Sequence, residues 1–141
     1  NWDRTMAVCL KAYFIGSREM IPFMRERGGG SIVNISSLQS LIPEPSFGAY
    51  SIAKAGVNGL SRAIARDYGP LIRANTIVAG AVNTPGFAEG EEVKAELRRR
   101  LPLGRIAEGR DIAELALFLA SDQSSFITGA EIVADGGRSL T

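Results

Sequence analysis

Apolar residues first recur at helical spacing. Met6, Cys9, Leu10, Tyr13, Phe14 and Met20, with Ser17 among them, fall three or four residues apart, as in a helix with one buried face. The spacing predicts a helix over Thr5 to Arg27, with Asp3 as its N-cap or a first-turn acid. Pro22 lacks an N–H and should kink it. "RGGG" ends the pattern, and "SIVNIS" follows as a short β-branched run that reads as a buried strand. A loop holding Pro43 and Pro45 leads into "GAYSIAKAGVNGLSRAIARDYG", a second helix with Ser46 as its expected N-cap. Its small residues Ala49, Ala53, Gly56, Gly59 and Ala63 permit close packing.

"IRANTIVA" is the next strand, Glu91 to Arg100 a short charged helix, Asp111 to Ser121 another with an acid at its N-cap, and "EIVAD" a final strand. Strands alternating with helices imply a parallel α/β sheet. Continuously apolar strands imply a sheet covered on both faces. No repeat and no low-complexity linker divides the chain, so residues 1–141 read as a single domain.

Composition narrows the chemistry. Histidine is absent, which removes Ser-His-Asp and Cys-His catalysis and histidine metal ligation. No metal site is expected. A net charge of +1 argues against general attraction to nucleic acid or anionic lipid. One cysteine, Cys9, allows no internal disulfide and fits a reducing, cytoplasmic compartment. No apolar run approaches the ~20 residues of a membrane span.

Proton chemistry near neutral pH must then use other groups, and Tyr50 and Lys54 stand at i and i+4 on one helix face. A free phenol ionises near pH 10, and a cation beside it stabilises the phenolate. Bringing a phenol to neutrality takes roughly 4 kcal/mol, at about 1.36 kcal/mol per pH unit. Ser37, thirteen residues before Tyr50, ends the strand "SIVNIS". Ligands of open α/β sheets bind just outside such strand ends. A Tyr-x-x-x-Lys pair alone is far more often structural than catalytic; only the set in its strand and helix context reverses that reading. The run Arg98, Arg99, Arg100 reads as a solvated helix face.

"SIVNISS", "YSIAK", "IRANTIVAGAVNTPG" and "ITGAEIVADGG" together resemble the short-chain dehydrogenase/reductase family, over essentially the whole chain. The resemblance implies an α/β fold, the C-terminal part of a doubly wound parallel-sheet Rossmann fold that binds NAD or NADP. It implies Tyr50 as general acid/base, Ser37 orienting the substrate oxygen, and Lys54 stabilising the phenolate and binding the nicotinamide ribose. Gly80, Val82 and Thr84 would lie against the nicotinamide, and Ser37, Gln39 and Tyr50 against the substrate, a secondary alcohol or ketone such as a sugar, a steroid or a 3-oxoacyl thioester. Phe87 to Leu103 would cover it. Dimers or tetramers built on the two long helices are implied as well.

The sequence also departs from the family. The Gly-rich phosphate turn is missing, as is the segment that selects NAD over NADP; both belong upstream of Asn1. Cys9 stands where the family carries an asparagine, and Ala79 replaces a usual proline. The alternatives to an oxidoreductase are a truncated, non-catalytic association module and an incomplete gene product. Without preceding strands, "SIVNIS" is expected to form an exposed apolar sheet edge and favour aggregation.

Overall fold

Three parallel strands set the geometry of everything else. The computed structural model describes residues 1–85 and 90–141. In chain order its main elements are α1 (Trp2–Met6), α2 (Ala12–Glu26), β1 (Gly30–Ser37), α3 (Gly48–Tyr68), β2 (Ile72–Ala79), β3 (Val82–Asn83), α4 (Glu91–Arg99), β4 (Ala107–Glu108), α5 (Gly109–Ala120) and β5 (Glu131–Ala134). The main sheet has the order β1-β2-β5. Its register runs from Gly30 opposite Ile72 to Ser37 opposite Ala79, and from Thr76 opposite Glu131 to Ala134 opposite Ala79.

Alternation along the strands assigns the two faces. Ile32 and Ala74 turn toward α2 and α3, in a cluster with Ile21, Ile64, Ile72, Met24, Leu60 and Tyr68. On the same face Asn34 Nδ2 and Thr76 Oγ1 both donate to Ser61 Oγ of α3, at 2.8 and 2.7 Å. Ser31 and Arg73 turn the other way. Ser31 Oγ donates to the Leu119 carbonyl of α5 at 2.8 Å, and the Arg73 guanidinium donates to the Leu119 and Ser121 carbonyls at 3.1 and 2.9 Å. A cation there caps the C-terminal carbonyls that a helix leaves without partners. The sheet is thus covered by helices on both faces, the doubly wound arrangement expected, and β2 is buried along nearly its whole length.

Several local expectations shift. The first helix begins at Trp2 with Asn1 as its N-cap, whose side chain accepts from the Arg4 N–H; Asp3 is a first-turn acid. Between α1 and α2 lies one π-helical stretch, Ala7–Lys11, after which the Ala12 N–H reaches back five residues to the Ala7 carbonyl. Pro22 lies inside α2 without ending it; the residue is exposed. Ser46 is not the N-cap of α3. It takes the left-handed conformation, φ +72°, as the chain turns out of the two-proline loop, and Phe47 occupies the cap with no side-chain bond. At α5 the N-cap is Glu108, and Asp111 sits at the third helical position of a capping box with it. Two short strands, β3 and β4, pair in parallel as a separate ribbon. Two-residue strands have no period to read, so nothing in the sequence marks them. The part of the expected substrate cover from Phe87 to Glu89 lies outside the described residues. Among the described residues, no helix is long and apolar enough to cross a membrane.

Asp111 joins β4 to α5. Arg105 grips both its oxygens, at 2.7 and 2.8 Å, and the Glu108 N–H donates to it at 2.7 Å. The Arg105 bonds first, and the Glu108 amide second, lower its pKa to about 2. A carboxylate held below its unfolded value stabilises the fold above that value, and the contribution disappears as pH falls through the folded one. The Asp111 carboxyl should therefore titrate near pH 2 by NMR. Protection of the Glu108 amide, measured relative to its intrinsic exchange rate, should hold at pH 4 and fall toward pH 2. In Asp111→Asn that protection should already be reduced at neutral pH.

Candidate active site

Ser37 is the last residue of β1, at the same level as Ala79 at the end of β2. The strand ends there because the chain tightens into a short 3₁₀ turn, Leu38–Ser40, and Ser37 Oγ caps it by accepting the Gln39 N–H at 3.3 Å. Gln39 then pins the loop that follows. Its amide nitrogen donates to Glu44 Oε2 at 2.9 Å, and its oxygen accepts the Glu44 N–H at 2.8 Å. Both ends of this side chain are engaged within the protein.

Tyr50 and Lys54 occupy the first two turns of α3. Tyr50 is half-buried, and its ring meets Phe47 edge-on, 6.3 Å between centroids. Its hydroxyl makes no hydrogen bond to any described residue. Lys54 is 7% exposed, yet it carries a charged group. A buried ammonium is tolerated only when hydrogen-bonded. Here Nζ donates to the Tyr13 hydroxyl and to the Ile35 carbonyl, both at 2.9 Å, and the Tyr13 hydroxyl donates to the same carbonyl at 3.0 Å. Nζ also lies 4.7 Å from the Tyr13 ring centroid and 5.7 Å from that of Tyr50, within cation–π range of both.

The remaining candidates follow β2. Gly80 donates its N–H to the Ala134 carbonyl at 3.0 Å, and a Cβ there would stand 2.7 Å from the Asp135 Cα. So the glycine is required for close approach of two backbones, and its N–H is not open to a ligand. Val82 is a half-buried residue of β3, and Thr84 is exposed just beyond it. Ser37, Tyr50, Lys54, Gly80 and Val82 thus all lie around the C-terminal ends of the parallel strands, where ligands of such sheets bind.

Two groups of the site escaped the sequence: Tyr13 and the Ile35 carbonyl. Tyr13 reads as part of the apolar stripe of the first helix. Its polar tip, which needs a partner when buried, is the one signal that sets it apart. Cys9, one turn earlier, is half-buried inside the π-helical stretch.

Known proteins resemble the chain over nearly its whole length. A family model described as Enoyl-(Acyl carrier protein) reductase matches residues 1–139. The chain is 44% identical over 142 residues to the trans-4-hydroxycyclohexanecarboxylate dehydrogenase of Sinomonas cyclohexanicum, a match covering 98% of this chain and 52% of that protein. It is 40% identical over 145 residues to the 3beta-hydroxysteroid dehydrogenase 1 of Eggerthella lenta, covering 99% and 56%. The ligand-free aldohexose dehydrogenase of Thermoplasma acidophilum superimposes with a TM-score of 0.94 at 35% identity, covering 99% of this chain and 60% of that one. The gluconate 5-dehydrogenase of Burkholderia cenocepacia, solved with NADP and tartrate, gives a TM-score of 0.92 at 29% identity, covering 99% and 56%. The chain belongs to the short-chain dehydrogenase/reductase family. It spans about half the length of the curated relatives it matches.

Gly80→Ala tests the close approach at the end of β2. Forcing a methyl against the Asp135 backbone should destabilise the protein by about 1–3 kcal/mol, the usual cost of overpacking. Denaturant unfolding measures it. An unchanged midpoint would mean that the Asp135 backbone yields freely.

Proposed function

We propose that the protein of which this chain forms all or part is an NAD(P)-dependent oxidoreductase acting on a secondary alcohol or ketone. In this reading the chain is the C-terminal portion of a dinucleotide-binding Rossmann domain. The observation that carries the reading is the buried Lys54 ammonium, 5.7 Å from the ring of Tyr50, whose hydroxyl has no hydrogen-bond partner among the described residues. Burying a cation is costly.

The residues present fit a nicotinamide nucleoside. Lys54 uses two of its three N–H donors within the protein, which leaves one for a ribose hydroxyl. Val82 and Thr84 flank the same strand ends. Gly80 contributes by letting β2 and β5 close together rather than by an N–H. When bound, the nicotinamide supplies the hydride acceptor or donor. Tyr50 Oη gives a proton to the substrate oxygen in reduction and takes one in oxidation. Ser37 Oγ donates to the same oxygen and holds the carbon in line. Lys54 stabilises the tyrosine oxygen when it carries negative charge. Gln39 acts one step away, by fixing the loop beside Ser37. Relatives named for a hydroxycyclohexanecarboxylate and a hydroxysteroid support cyclic secondary alcohols as first substrates to try.

A homo-oligomer is part of the same proposal. Trp2, Val8 and Phe14 are exposed on the first helical stretch, beside a groove lined by Met6, Leu10, Phe14 and Leu60. That observation also favours the second reading, a module that only associates. Cofactor binding separates the two.

Tyr50→Phe keeps the ring and removes the proton donor. In the complete protein it should lower kcat by roughly 10²–10⁴, the usual contribution of general acid–base catalysis, with cofactor affinity retained. Steady-state assays with NAD and NADP decide it. A variant at the parent rate would sink the proton-transfer role of Tyr50. An absence of cofactor binding by the parent would favour the association reading.

A further inference from the structure

We infer that Asn58 is a positioning residue that fixes the turn after Ser37 and thereby aims the serine hydroxyl. The inference rests on the role proposed above for Ser37, but the hydrogen bonds that carry it stand without that role. Asn58 follows Lys54 by one turn of α3 and is 3% exposed. Its Nδ2 donates to Ser40 Oγ at 3.1 Å and to Glu131 Oε2 at 2.8 Å. One amide nitrogen thus joins three elements: helix α3, the turn Leu38–Ser40 after β1, and the first residue of β5.

Chemistry fixes which way this amide faces. An ionised carboxylate can only accept, so the amide nitrogen must turn to Glu131. Arg62, one turn further along α3, pairs with the other oxygen of that carboxylate and keeps it beside Asn58. Both donors of Nδ2 are then spent, one on Glu131 and one on Ser40. The nitrogen decides the orientation, since Oδ1 is buried with no hydrogen-bond partner among the described residues. A leucine would fill nearly the same space at less cost in buried polarity. What the amide alone supplies is a donor directed at Ser40.

Ser40 ends the turn that Ser37 begins. The Leu41 N–H closes it by donating to the Leu38 carbonyl at 2.9 Å. At its start Ser37 Oγ accepts the Gln39 N–H at 3.3 Å. A hydroxyl has two lone pairs and one hydrogen. With one lone pair turned back to Gln39, the Ser37 hydrogen is left to donate to a substrate oxygen. That direction holds only while the Gln39 N–H keeps its place. The Gln39 side chain ties the turn to α3 through Ser51 Oγ at 3.5 Å, against 3.1 Å from Asn58 to Ser40. Asn58 is therefore the firmer anchor. A group that must meet a reacting oxygen gains most when its geometry is fixed before the substrate arrives.

The test is Ser40→Ala in the complete protein, which removes the hydroxyl of the turn and leaves Asn58, Glu131 and Arg62 together. Protection of the Leu41 amide, measured by hydrogen exchange relative to its intrinsic rate, should fall about fivefold, the scale of one lost hydrogen bond. With a secondary alcohol as substrate, kcat should fall by about the same factor, while the dissociation constant of NAD(P) stays within about twofold. Asn58→Leu should produce the same two changes, and the double variant no more than either alone, because each cuts the same link. Ser40→Ala serves by itself if the leucine variant does not fold. An unchanged kcat would overturn the inference, whatever happens to the unfolding midpoint, since a purely structural asparagine behaves that way. Losses in kcat that multiply in the double variant would overturn it too, since the two residues would then act separately. If the parent binds neither NAD nor NADP, the oxidoreductase reading fails, and Leu41 protection alone decides whether Asn58 fixes the turn.

Discussion

Helix α3 can lie on the sheet in only one register, because its buried face is hydrogen-bonded as well as packed. Ser61 Oγ accepts from both Asn34 and Thr76. Ser36 Oγ donates to the Lys54 carbonyl at 3.0 Å, and Asn58 Nδ2 donates to Ser40 Oγ and Glu131 Oε2 at 3.1 and 2.8 Å. Leaving a buried polar group without its partner costs about 1–3 kcal/mol. A slip of one turn would strand several at once. An apolar interface of small residues would tolerate such sliding; this one does not.

That register is what creates the site. Ser36 is tied to Lys54, and Ser37 is its neighbour, so the end of β1 and the start of α3 are locked together. Lys54 is then carried next to Ile35 of β1, and Tyr50, one turn earlier, comes toward the strand ends. At the other side Gly80 allows β2 and the turn after β5 to approach closely. The polar layer beneath α3 and the chemistry above it are parts of one arrangement.

The fold was largely legible in the sequence because its elements are periodic. The buried run of β2 states its environment, whereas the stripe from Met6 to Met20 does so only in part, since Phe14 and Met20 are exposed. Errors gathered where local geometry outweighs period. Ser46 has the composition of a cap but takes the left-handed turn out of the loop. Asp111 marks the start of α5, yet the cap itself is Glu108. The ribbon of β3 and β4 is too short to leave a pattern. In the candidate site, Tyr50, Lys54 and Ser37 were singled out by spacing together with the family resemblance. Gly80 was expected against the nicotinamide; its N–H is engaged by the Ala134 carbonyl and its missing Cβ makes room for the Asp135 backbone. Gln39 was marked for substrate, and its amide is engaged with Glu44.

The sequence by itself determined the class of chain: alternating helices and buried strands, no histidine, and a phenol and an ammonium one turn apart. These follow from residue type and spacing along single elements, which the chain carries locally. Only the tertiary structure decided what holds the ammonium. Tyr13 of α2 lies 41 residues from Lys54 of α3 and 22 from Ile35 of β1. A side chain finds such partners only after the sheet and the helices packed on it have set the distance between them.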